Sequence, residues 1–106
     1  LRFAESDARR LERAGSTWAL GLAAALRAGI ATVEGRSERV LEELAVAETA
    51  FDAADMTVHA AFAHRCRGVL TGATRDVEAA DRTLAVAGVE RPDLMVRTYL
   101  PGRWPE

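Results

Sequence analysis

The chain has 106 residues and a formal net charge of −2, with 49% hydrophobic and 28% charged residues, enough for one domain with a modest core and no global attraction to nucleic acid or anionic lipid. It contains no Lys, Asn or Gln, so all fourteen of its basic residues are Arg. A phosphate-binding loop needs its Lys, a protein kinase needs a Lys and a catalytic Asn, and Schiff-base chemistry needs an amine, so these reactions are excluded for this stretch.

The first helix is expected over residues 1–14, with Phe3, Ala4, Ala8 and Leu11 on one side. Because the chain opens on Leu1 without an initiator Met, it is expected to be a fragment of a longer chain. Gly15-Ser16-Thr17 is a break that offers a hydroxyl cap. From Trp18 to Val33 the only charge is Arg27, and an all-round apolar helix is a central one enclosed by neighbours. At sixteen residues it is too short to span a bilayer, and Ala and Gly dominate it. Its small residues Gly21, Ala24, Ala25, Ala28 and Gly29 would admit close helix approach.

Two similar helix starts follow glycines, Gly35-Arg36-Ser37 and Gly72-Ala73-Thr74. They lie 37 residues apart, a spacing suited to two-helix repeats, and Ser37 and Thr74 are read as caps. Between them, residues 37–54 form a helix with Val40, Leu44, Ala47, Phe51 and Ala54 on one stripe and Glu38, Arg39, Glu42, Glu43, Glu48 and Asp52 on the wet side. Residues 57–70 form a fourth helix with Val58, Phe62, Cys66 and Val69 inward. Residues 74–87 form a fifth with Val77, Ala80, Leu84 and Ala87 inward, before Gly88. A short helix starts at Pro92, and residues 91–106 are expected to cap the array as a terminal helix and tail. The expected fold is all-α: five to six antiparallel helices in stacked hairpins within a single domain over residues 1–106.

None of the reactive residue types assembles into a recognisable site. Asp55 and His59 stand four apart without a third ligand, which makes capping the simpler role for Asp55. His64 falls opposite Val58 and Phe62 and reads as solvated, and Cys66 reads as a core thiol. Gly35-Arg36-Ser37-Glu38-Arg39 lacks the closing Gly of a nucleophile elbow. Glu34, Glu38 and Glu42 read as a wet acidic face. Arg9, Arg10 and Arg13 cluster without the interleaved aromatics of a nucleic-acid site. The expectation is therefore a non-enzyme with no cofactor and no metal. The single Cys cannot form an internal disulfide and suits a reducing, cytoplasmic setting.

Ala47-x3-Phe51-x2-Ala54 resembles the second helix of a tetratricopeptide repeat, and Trp18 with Gly21-Leu22 resembles the first. The sequence departs from that repeat in the distance from Trp18 to Ala47, the reversed Gly-Leu order and the lack of Pro after Ala54. Leu44-Ala45-Val46-Ala47 recurs as Leu84-Ala85-Val86-Ala87 at an offset of 40. From Gly21 to Gly102 the chain also resembles the C-terminal helical region of large bacterial signalling proteins that join a Ser/Thr protein kinase, an ATPase module and a tetratricopeptide-like array. The residues that carry this are Phe51-Asp52-Ala53-Ala54-Asp55-Met56, Arg67-Gly68-Val69-Leu70, Val89-Glu90-Arg91-Pro92-Asp93-Leu94-Met95 and Leu100-Pro101-Gly102. The resemblance implies a non-catalytic scaffold that contacts a protein partner or other domains of its parent, with no nucleic acid and no membrane. The alternatives are a homodimerisation module and a small-ligand sensor with an inter-helix pocket. Phe3, Leu11 and Trp104 are the candidate interaction residues, with Trp104 either folded back or left for a partner.

Overall fold

The computed structural model describes residues 2–104, with side chains from Ala4 onward. Among the described residues there are six helices and no strand: α1 (Arg2–Ala14), α2 (Thr17–Glu34), α3 (Ser37–Ala53), α4 (Thr57–Thr71), α5 (Thr74–Val86) and α6 (Pro92–Tyr99). The all-α class expected from the apolar periods is the class observed, with helix limits within a residue or two of those expected.

One turn geometry makes the chain fold back on itself. A residue in the left-handed region follows each of the first five helices: Gly15, Gly35, Asp55, Gly72 and Gly88, with φ between 57° and 91°. At four of them a 6→1 backbone hydrogen bond closes the helix end, from Arg36 to Ala31, Met56 to Phe51, Ala73 to Gly68 and Val89 to Leu84. This arrangement satisfies carbonyls that a helix end would otherwise leave unpaired. Arg36, Met56 and Ala73 then serve at once as the first residue of the next helix boundary. The recurring unit is thus one helix and one turn. The 37-residue step from Gly35 to Gly72 contains a further turn of the same kind, at Asp55, which carries no glycine to mark it.

The hydroxyl caps are corrected. Ser37 and Thr74 occupy the first helical position, the boundary residues are Arg36 and Ala73, and no side-chain cap bond is made at either. The two-residue turn brings the chain out of one helix and straight into the next, so the hydroxyl arrives a position too late to cap. Ser16, at the α2 boundary, also makes no side-chain cap bond.

Consecutive helices pack side by side, α1 on α2, α2 on α3, α3 on α4 and α4 on α5, while α6 returns to α4. Early α2 meets late α3 where Gly21 faces Phe51, and late α4 meets early α5 where Gly68 faces Val77. Neighbours so arranged run antiparallel. At Gly21 a Cβ would lie 2.6 Å from the Phe51 ring, so the absent side chain sets the α2–α3 distance.

Val40, Leu44, Ala47 and Phe51 of α3 are buried as the stripe requires, and Phe62, Cys66, Ala80 and Leu84 join them. Ala60, Ala61 and Ala63 are buried too, because α4 has neighbours on several sides. Ala87 is exposed, a correction: α5 ends at Val86, and the left-handed Gly88 turns Val89 inward in its place. The chain beyond α6 closes on the core. Leu100 is fully buried, Arg103 donates its backbone N–H to Thr32 Oγ1 at 2.8 Å, and the Pro101 carbonyl sits directly against Gly29 of α2. Trp104 is 5% exposed, and its indole N–H donates to the Leu100 carbonyl at 2.8 Å.

Candidate interaction groove

Leu20, Ala24 and Arg27 recur at steps of four and three along α2, and they point away from Gly29, which meets the tail. The side of α2 opposite the tail is covered in part by α1, to which Arg27 bonds, and the rest is open. It forms a groove of about 640 Å³ between α1, α2 and α3. Leu20, Ala24, Ala45, Val46, Ala50 and Ala53 supply the apolar lining, and Leu20 and Val46 are 38% and 52% exposed. Thr17 and Thr49 add hydroxyls, and Glu12, Arg27 and Glu43 add charge.

Arg27 is the only charge of α2 before its last residue, Glu34, and α1 accounts for it. Its guanidinium donates to Glu12 and, at 3.4 Å, to Glu5. The hydrogen bond from Arg27 holds the Glu12 carboxyl below its ordinary range, and the same bond holds the guanidinium protonated above its own. Arg27 thus ties α1 to α2 while standing in the wall of the groove.

Glu43 departs from the sequence expectation. The apolar period of α3 puts it on the wet side, yet its side chain is only 12% exposed. Oε1 lies 4.0 Å from Arg39, a loose contact, and Oε2 is buried without a hydrogen-bond partner. Desolvation by the surrounding helices pushes its carboxyl above the usual range, against the opposing pull of Arg39 and Arg27. The packing of α1 and α2 beside α3 narrows the solvent-facing arc, which a single-helix pattern cannot reveal. The signal that was available is the isolated Arg27, because a charge on a buried helix demands carboxylates from its neighbours.

The candidate residues fall in different places. The side chain of Phe3 lies outside the described residues. Leu11 is half-buried on α1, beside the fully buried Ala8, so this side of α1 is partly covered by α2. Trp104 belongs to the core of the chain and offers no open surface, because its indole is covered and its N–H is satisfied internally.

The reactive residue types are likewise dispersed. Asp55 sits in the α3–α4 turn, whereas His59 is set between the rings of Phe51 and Tyr99, with centroids 5.1 and 5.0 Å away. Burial holds the His59 imidazole below its ordinary pKa. His64 is partly buried, with Nε2 3.3 Å from Asp76 Oδ1, rather than fully solvated. Cys66 is 4% exposed, and burial pushes its thiol up to about 12, which keeps it in the unreactive protonated form. Among the described residues no group of three His, Cys, Asp or Glu is placed to hold a metal ion. No described helix is long and apolar enough to cross a membrane.

Comparison with known proteins returned no matching family model, no similar curated protein and no matching solved structure.

Proposed function

We propose that the domain is a non-catalytic helical scaffold that docks a protein partner or another domain of its parent chain, in the manner of the C-terminal helical regions of bacterial Ser/Thr kinase–ATPase signalling proteins it resembles. The observation that carries this reading is the open α1–α3 groove. Its exposed Leu20 and Val46 form an apolar surface on the side of the helices that the tail leaves bare. The tail itself acts as the terminal cap of the helical layer, filling the opposite side with Leu100 and Trp104.

Site-directed photo-crosslinking tests the assignment. A photoreactive residue at Val46 should capture a defined protein in cells, and one at Val86, which is 92% exposed on α5, should not. Equal capture from both positions would remove the groove from consideration as the docking face. Capture of a second copy of this chain at Val46 would identify a homodimer.

A further inference from the structure

A second cavity, of about 240 Å³, lies where four elements meet. Ala31 and Thr32 of α2, Val40 and Leu41 of α3 and Leu70 of α4 line it, and Arg103 borders it from the tail. The bond from the Arg103 N–H to Thr32 Oγ1, at 2.8 Å, holds the tail across the end of α2 and so roots Arg103 at this spot. Arg36 and Ser37 join from the start of α3.

The charge of the lining decides what can enter. Three other clefts between these helices carry carboxylates: Glu12 and Glu43 in the α1–α3 groove, Glu48 and Asp52 beside α4, and Asp81 and Glu90 beside α5. In a chain of net charge −2, this cavity is instead lined by two arginines and, among the described residues, by no carboxylate. Both arginine side chains are exposed, and each is long enough to swing across a cavity of this width. Arg36 has a contact with Glu34 at 3.7 Å, but both partners are exposed, so little holds that pair against a ligand. A guanidinium receives a carboxylate through two parallel N–H donors. Val40, Leu41 and Leu70 give the interior apolar walls, which favour an alkyl body over a bare inorganic anion. The volume falls below the about 300–1,000 Å³ of sites for drug-sized ligands, which limits the occupant to a few carbon atoms.

We propose that this cavity binds a short-chain carboxylate, with its charged head received by Arg36 and Arg103 at the mouth and its alkyl chain against Val40, Leu41 and Leu70. The site lies at the tail side of the helices, away from the α1–α3 groove, and it does not depend on the scaffold reading.

The test is a titration of the isotopically labelled 106-residue chain with sodium n-butyrate at constant ionic strength, followed by amide chemical shifts. Saturable perturbations should centre on Thr32, Ser37, Leu41, Leu70 and Arg103, and neutral n-butyramide, of the same shape, should leave these amides unmoved. Arg36→Gln and Arg103→Gln should each weaken the response by about threefold, and the double variant by about tenfold, as expected for exposed charge pairs. Both replacements are at exposed side chains, and Gln at position 103 keeps the backbone N–H that bonds Thr32, so the native spectrum should persist. Arg13→Gln, at an exposed arginine by the other end of α2, should change nothing. Equal binding of butyramide, an undiminished response in the double variant, equal perturbation by inorganic phosphate, or no saturable response at these amides would each overturn the site.

Discussion

Asp55 takes a backbone conformation that its neighbours in the series leave to glycine. Its φ of 57° closes α3 with the same 6→1 bond that Gly35, Gly72 and Gly88 allow after their helices. An L-residue in the left-handed region is strained by its Cβ, although Asp tolerates this better than most. Asp55→Gly should therefore raise stability by about 0.5–1 kcal/mol in urea titrations, the relief exceeding the added freedom of the unfolded chain. A loss of stability would mean that the Asp55 carboxylate contributes more than its conformation costs. Glu43 carries the opposite kind of local cost. Its folded-state pKa is raised, so the folded protein binds this proton more tightly than the unfolded chain does. Stability from this residue accordingly falls as pH rises through the range between the unfolded carboxyl, near about 4.3, and the raised folded value. Glu43→Gln should stabilise the domain at pH 7, and the gain should shrink as pH is lowered toward 4. Paired thermal melts at the two pH values check this, and a gain independent of pH would place the effect in packing.

At the scale of the helix, small residues decide which elements approach. Gly21 and Gly29 occupy opposite duties on α2: the first admits the Phe51 ring of α3, the second admits the Pro101 carbonyl of the tail. An added methyl at position 21 would raise helix propensity by up to about 1 kcal/mol, yet it would meet the ring at 2.6 Å. Overpacking of this kind typically costs about 1–3 kcal/mol. Gly21→Ala should thus be destabilising in net, read as a lowered urea midpoint, and a raised midpoint would show that α2 and α3 can slide apart freely. The legibility of the elements follows the same logic. The α3 stripe was readable from Val40 to Phe51 because one side of α3 faces the core and each step of three or four keeps to it. The α4 alanines were not readable, since Ala60, Ala61 and Ala63 are buried by surrounding elements rather than by periodicity. The Asp55 turn was missed for want of a glycine, and Glu43 was misplaced because burial by α1 and α2 is a property of three helices together.

For the molecule as a whole, the tail decides which face is free. Leu100 and Trp104 join the same core as Phe51, Phe62 and Leu84, and the Arg103 N–H anchors the chain to Thr32 across the molecule. With one side of the helices so covered, the α1–α3 groove is left as the open side on which the scaffold reading depends. If the tail were loose, a second apolar face would be exposed and the groove would lose its distinction. The most direct measurement is urea unfolding of a Trp18→Phe variant, in which Trp104 is the only indole. Trp18 is 48% exposed, so its replacement should leave the core intact. Emission from Trp104 should be blue-shifted in the native state, and its transition should coincide with the loss of helical circular dichroism, as one cooperative unit requires. Water-like emission from Trp104 without denaturant, or a Trp104 transition well before the helices unfold, would contradict the account.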